Sequence, residues 1–142
     1  MILEETQTLL AVAQWTTNHR NRRCTIRQLV GTEEIYQLLI RELDRVENQC
    51  FRAATLRAEA TLTLAEWIEA LNYFRWLCAY CQEKPFQVMS HYLPVPQAGT
   101  TAMNCLPACY RCRRNPKKEN EGIQGYFAQV RACKEHIMPV LL

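Results

Sequence analysis

The sequence is short of glycine, with 4 in 142 residues, and nearly devoid of aspartate, with Asp44 the only one beside 13 glutamates. So little glycine excludes collagen-like and glycine-rich disordered chains. No run approaches the ~20 consecutive apolar residues that span a bilayer, so a membrane partner is not expected. The opening residues, MILEETQTLL, carry two glutamates and no basic cluster, unlike a secretory leader, and an intracellular, cytoplasmic location is expected. The most informative absence is local. Between Glu83 and Glu119 there is no carboxylate side chain, while Lys84, Arg111, Arg113, Arg114, Lys117 and Lys118 give that window a charge of +6.

That window holds the whole charge excess. Residues 1–60 carry eight arginines against eight acids, whereas residues 61–142 carry nine basic residues against six acids, matching the net +3. A basic, acid-free stretch suits a phosphate-bearing partner, so Arg111, Arg113, Arg114, Lys117 and Lys118 are candidate nucleic-acid contacts, to DNA or RNA. Arg20, Arg22 and Arg23 form a smaller basic patch. His19 and His136 stand alone, and no role attaches to them.

The pattern predicts an α+β fold, mostly helical, in two regions: helices over 1–60, and a small module with a C-terminal helix over 61–142. Residues 2–17 read as a first helix, and Thr25–Val30 as a short one closed by Gly31. Thr32, followed by Glu33 and Glu34, is a favourable helix start, a hydroxyl cap with acids at the positive end of the dipole. From there Ile35, Leu38, Leu39, Leu43, Val46, Cys50 and Ala54 recur at spacings of three and four. A long helix over 32–60 is expected, with the first helix against its apolar stripe. Thr63-Leu64-Ala65-Glu66 fits a capping box, and Trp67, Ile68, Leu71 and Phe74 mark the buried face of a helix ending near Trp76. Beyond it Phe86-Gln87-Val88 and Tyr92-Leu93 suit two small strands, and Gln97–Thr100 a turn. Pro107 suits the first turn of a helix that Pro116 ends, and Gly122 and Gly125 precede a last helix carrying Phe127, Val130 and Cys133 on one side.

Eight cysteines in a chain of this kind point to metal rather than to disulfides. Cys24, Cys50 and Cys133 are isolated and read as buried small apolar side chains. Cys78-Ala79-Tyr80-Cys81 and Cys109-Tyr110-Arg111-Cys112 are two C-x2-C pairs, 27 residues apart. Two such pairs supply the four thiolates of a tetrahedral structural zinc. The spacer is longer than in a simple zinc ribbon, so something folds between the pairs. Cys105 is near enough in sequence to compete as a ligand.

The stretch from Leu64 to Lys117 resembles the zinc-containing branch of the HNH endonucleases, particularly small phage and bacterial members. The resemblance rests on Leu64-Ala65-Glu66-Trp67, Tyr73-Phe74, the Cys78 pair, Ser90-His91-Tyr92-Leu93-Pro94, Gly99-Thr100-Thr101 and Asn104 to Cys112, in that order. It covers a little over a third of the chain. It implies a ββα-metal, treble-clef-like module whose hairpin carries the active histidine. By this resemblance His91 would be the general base, and Asn104 would orient it by hydrogen bonding. The family has Asp before that histidine, and Asn or His after the last cysteine, as ligands of a divalent cation. This chain has Ser90 and Arg113 there. Magnesium demands hard oxygen ligands, so bound magnesium is doubtful. Asn115 is a candidate replacement, constrained by Pro116.

The expected function is a divergent HNH-like zinc protein that binds nucleic acid with nuclease activity weak or lost, Arg113 replacing the cation in gripping phosphate. Two alternatives follow: an active metal-dependent HNH endonuclease, or a protein-interaction or inhibitor module that docks a partner on the 32–60 helix. Tyr80, Tyr92 and Tyr110 are candidates for base stacking, Tyr80 being the most structural in character.

Overall fold

The computed structural model describes residues 3–18 and 23–141. His19, Arg20 and Arg22, and the side chains of Arg23, Cys24 and His136, lie outside the described residues. The chain runs α1 (Leu3–Asn18), α2 (Arg23–Val30), α3 (Glu33–Thr55), α4 (Leu64–Tyr73), β1 (Val88–His91), α5 (Val95–Ala98), β2 (Cys105–Ala108), α6 (Tyr110–Arg114) and α7 (Glu121–Leu141). It is a mostly helical α+β arrangement, and no described helix is long and apolar enough to cross a membrane.

α3 starts as its sequence requires: the Thr32 hydroxyl accepts from the Ile35 amide, and Glu33 and Glu34 fill the first turn. It ends at Thr55, short of 60. There Ala58 N bonds to Ala53 O and Arg57 N to Ala54 O, with Arg57 at φ 58°. This is a Schellman ending with arginine in the left-handed seat usually taken by glycine. The buried stripe of α3 is Leu39, Glu42, Val46 and Ala53. Ala53 rather than Ala54 faces inward, and a carboxylate sits among the apolar positions. Glu42 is 2% exposed, and its Oε1 accepts from Trp67 Nε1 at 2.9 Å and Arg45 Nε at 2.8 Å. Burying a charge is tolerated only when it is paired and hydrogen-bonded, and both conditions hold. Arg45 also reaches Gln87 O at 3.3 Å and lies over the Phe86 ring. Glu42 and Arg45 thereby fix α3 to both α4 and the segment entering β1.

The helix packing differs from the sequence expectation. α1 lies chiefly against α4, and α3 packs mainly on α2 and α4 rather than on α1. The Thr63–Glu66 capping box is formed, and α4 buries Leu64, Trp67, Ile68, Ala70 and Leu71. One hydrophobic core extends from Leu9 in α1 to Phe127 in α7.

β1 and β2 form an antiparallel pair with His91 opposite Cys105, Ser90 opposite Leu106, Met89 opposite Pro107 and Val88 opposite Ala108. This corrects two readings. The strands are 88–91 and 105–108, not 86–88 and 92–93, and Pro107 belongs to β2 rather than to a helix. A two-stranded ribbon consists of edges, where a residue without an amide is tolerated, and Pro107 O still accepts from Ala79 N at 2.8 Å. Residues Val95–Ala98 form a single helical turn inside the expected loop, ended by Gly99 at φ 72°. A Cβ on Gly99 would lie 2.3 Å from Glu59 O, so the chain approach at this point admits only glycine. Thr100 N donates to Glu59 O, and Thr100 O accepts from Thr61 and Leu62 amides. The α3–α4 connection is thus bonded to the hairpin's connecting loop.

Gly122 and Gly125 lie within α7, not before it. The helix starts at Asn120, whose Oδ1 accepts from Gly122 N and Ile123 N, while its Nδ2 donates to Ala79 O and Tyr80 O. One side chain therefore caps α7 and holds it to the first cysteine turn.

Candidate metal centre and adjoining basic pocket

The two cysteine pairs meet. Cys78 and Cys81 lie on the turn after α4, Cys109 is the residue before α6, and Cys112 is within α6. Their four sulfurs all fall within 4.8 Å of one another. Sulfurs 2.3 Å from a tetrahedral zinc stand roughly 3.8 Å apart, so closure onto an ion needs only small movements. The turns are built for it. Gln82 takes φ 56°, and its amide bonds to Cys78 O at 2.8 Å, closing the first knuckle. Burial pushes the Cys78 thiol up, opposed by amides of Cys81, Cys109 and Tyr80 directed at its sulfur. At Cys81 burial is outweighed by the Lys84 and Glu83 amides and by the thiols of Cys78 and Cys112, bringing it down to about 7. Cys112 is pushed up to about 12 by burial and by the neighbouring thiols. Four thiols this close share few ionisations until a cation neutralises them, so metal binding here must release protons.

Cys105 stays out of this cluster. It is buried in β2 and pushed up to about 12 by burial, an inert apolar side chain. Cys50 is half-buried and donates to Leu62 O. Cys133 corrects the expectation of burial: it is exposed, at the edge of an open pocket that it lines with Tyr126 and Val130.

Beside the metal centre lies a second feature, a pocket of about 490 Å³ that brings together Ser90, His91, Arg113 and Lys118 with Gln49 and Arg52 of α3. No carboxylate lines it. Ion pairs among the described residues are Arg27–Glu33 and Arg45–Glu42, so no described carboxylate neutralises Arg52, Arg113 or Lys118. The Arg113 guanidinium lies over the Tyr110 ring at 5.7 Å, and Lys118 Nζ over the Tyr92 ring at 5.4 Å. Both cations are thus steered by aromatic faces rather than by acids.

His91 ends β1 with its Nε2 3.0 Å from Thr100 Oγ1. The Thr100 hydroxyl has one proton, and it donates that proton to Gln49 O of α3 at 3.2 Å. His91 Nε2 must then be the donor, which leaves the basic lone pair on Nδ1. Burial lowers the His91 pKa below its usual value, and the charge of Arg52 lowers it further. The imidazole is neutral at neutral pH.

Asn104 does not touch His91 through its side chain, contrary to the expected orienting role. Its Oδ1 accepts from Leu93 N at 2.7 Å, and its Nδ2 donates to Leu93 O at 3.0 Å and Gly99 O at 2.8 Å. Asn104 is a buried brace for the 93–99 loop. Ser90 is also buried, its hydroxyl 3.2 Å from Tyr80 OH. This contact makes Tyr80 structural.

The remaining basic residues divide. Arg111 and Lys117 line a separate cavity of about 460 Å³ beside Cys81 and Cys112. Arg114 is exposed and lines neither cavity. Tyr110 is 51% exposed, whereas Tyr92 packs edge-on against Phe127. The sequence gives no sign of Arg52 or Gln49 at this site, and Thr100 figures in it only within Gly99-Thr100-Thr101, since their approach to His91 arises only in the fold. No family model, curated protein or solved structure matches this chain.

Proposed function

We propose that this chain is a divergent HNH-like zinc protein that binds nucleic acid, with nuclease activity weak or lost. The observation that carries the reading is the pocket around His91, where three basic side chains converge without a carboxylate. Three further features support it. β1, β2 and α6 follow one another in the ββα order of the HNH module. The four thiols fit a closed, structural zinc held by Cys78, Cys81, Cys109 and Cys112. His91 keeps the neutral, Nδ1-basic form that a general base needs.

What the pocket lacks is a seat for a hard cation. Ser90 offers only a neutral hydroxyl already engaged by Tyr80, and Arg113 stands where the family places a metal ligand. Arg52, Arg113 and Lys118 repel a divalent ion and attract phosphate. Losing the ion that neutralises developing charge removes several kcal/mol of transition-state stabilisation, about three or more decades of rate.

The test is a titration of duplex and single-stranded DNA and RNA without magnesium, at several salt concentrations and with zinc content verified. Binding should need no divalent ion and should weaken steeply with salt as counterions are released. Plasmid cleavage with magnesium should be feeble and should rise in the double variant Ser90→Asp, Arg113→Asn. Binding that appears only with magnesium would overturn the proposal.

His91 also favours a second reading, an active endonuclease. Rapid magnesium-dependent cleavage by the native protein, abolished by His91→Ala, would establish that reading instead. Phe51 and Leu56, 75% and 47% exposed near the end of α3, favour a protein-docking role for this helix. That role would be supported if nucleic acid of every form failed to bind.

A further inference from the structure

We infer that the pocket between α3 and the hairpin receives the terminal phosphomonoester of a nucleic acid strand, and that Arg52 of α3 is the residue that distinguishes a strand end from the strand's interior. The inference rests on the nucleic-acid reading above and narrows its substrate class.

The first argument is charge. Arg52, Arg113 and Lys118 place three positive charges on one pocket with no lining carboxylate. An internal phosphodiester carries one negative charge. A terminal phosphomonoester carries about −1.5 to −2 near pH 7 and presents three acceptor oxygens. Three converging cations exceed what one diester can balance and match a monoester.

The second argument is the origin of the cations. The three cations come from separate parts of the chain: α3, α6 and the segment after Pro116. Gln49 and Arg52 come from α3, Met89, Ser90 and His91 from β1, Tyr92 from just after it, and Arg113 and Lys118 from α6 and the residues after it. α3 therefore adds a cation to a solvent-open pocket whose other cations come from the basic stretch. α3 is also held there. Gln49 O takes the Thr100 hydroxyl proton, and Thr100 holds His91.

The third argument concerns Arg52 itself. Arg113 and Lys118 lie over tyrosine rings and neighbour the basic stretch that any strand would follow. Arg52 lies on α3, outside that stretch, and its charge acts on His91 inside the pocket. Arg52 shares its pocket with His91, whereas Arg111 and Lys117 line the other cavity.

The experiment compares one short single-stranded oligonucleotide, labelled internally, in three forms: 5′-phosphorylated, 3′-phosphorylated, and with hydroxyls at both ends. Binding to the full chain is measured by fluorescence anisotropy without magnesium. One phosphorylated form should bind about tenfold or more tightly than the hydroxyl form, each factor of ten corresponding to about 1.4 kcal/mol. The preferred end identifies which terminus enters. Arg52→Ala should erase this preference, weakening the favoured phosphorylated form by about tenfold more than the hydroxyl form, and Arg52→Lys should keep part of it, as a retained charge without the bidentate fork. Arg52 is exposed, and circular dichroism would confirm that each variant folds. Equal affinity for all three forms overturns the inference and leaves nucleic-acid binding standing. A preference that survives Arg52→Ala overturns the role given to α3. No binding in any form overturns this inference together with the reading beneath it.

Discussion

Replacing Asn104 with alanine should destabilise the protein, not merely disturb His91. The side chain is 2% exposed and makes three hydrogen bonds to the loop backbone, of which the bond to Gly99 O is fully buried and the two to Leu93 are part-buried. Alanine would leave Leu93 N, Leu93 O and Gly99 O without these partners. A buried polar group left unpaired costs about 1–3 kcal/mol, and a hydrogen bond contributes about 1 kcal/mol net. Leu93 is 36% exposed, so water can partly serve its two groups. The expected loss is therefore about 2–4 kcal/mol. For a chain of this size each kcal/mol shifts the melting temperature by roughly 2–4 °C, giving a drop of about 5–15 °C. Asn104→Asp should do worse than lose two bonds, since it sets a carboxylate against two carbonyl oxygens. The assay is thermal and urea unfolding of zinc-loaded protein, paired with hydrogen exchange at the Leu93 amide, which should quicken. An Asn104→Ala variant that melts within about 2 °C of the native protein, with an altered His91 titration, would refute the brace and restore the orienting role.

Gly99→Ala should destabilise by more than about 2 kcal/mol, because φ 72° and the Glu59 backbone leave no room for a Cβ; a urea midpoint close to that of the native protein would contradict the close approach seen here. Purified protein should carry about one zinc per chain, and Cys109→Ser or prolonged chelation should unfold the 78–112 segment, since ligation and folding are coupled; elemental analysis with circular dichroism checks both. Because burial and Arg52 depress the His91 pKa, the unfolded chain takes up this proton at higher pH than the folded one. His91 therefore leaves stability intact above about pH 6.5 and lowers it as pH falls through the folded pKa. His91→Gln should flatten that acid-side decline, read from urea midpoints between about pH 7 and pH 5.

What could be read from the sequence was what local chemistry decides. Thr32 and Thr63 specify helix starts through their own hydroxyls, and both caps form. The paired cysteines could be matched by spacing because each pair fits one tight turn, and the four thiols do cluster. The failures lie where tertiary contacts override local preference. Pro107 is compatible with a helix start or with an edge strand, and pairing with Met89 decides the matter. Gly122 and Gly125 disfavour a helix, yet Asn120 caps one by accepting from Gly122 N and Ile123 N, and is itself held by bonds to Ala79 and Tyr80, 40 residues or more away in sequence. Glu42 broke an otherwise apolar stripe and gave no sign that Trp67 and Arg45 would satisfy it. Arg52 was one of eight balanced arginines in residues 1–60. Only the fold brings it to His91.

On the proposed HNH-like reading, that last placement ties Ser90 and Arg113 to the N-terminal helices. A divalent cation and a cluster of fixed positive side chains cannot share one small pocket, because each raises the cost of the other. A carboxylate at position 90 would favour the ion. With serine there, its hydroxyl turned to Tyr80, no negative charge in the pocket neutralises Arg52, Arg113 and Lys118, and their charge is left for phosphate. On the HNH-like reading proposed above, Ser90 and Arg113 form one electrostatic arrangement rather than two separate departures, and α3 completes it. This helix is not an appendage to the module. Glu42 and Arg45 bond it to Trp67 and Gln87, Gln49 receives the proton that fixes His91 through Thr100, and Arg52 adds the third charge. The same helix that positions the histidine supplies a cation that adds to the effect of burial in lowering its pKa, so the imidazole and the charge suited to phosphate are held by one element.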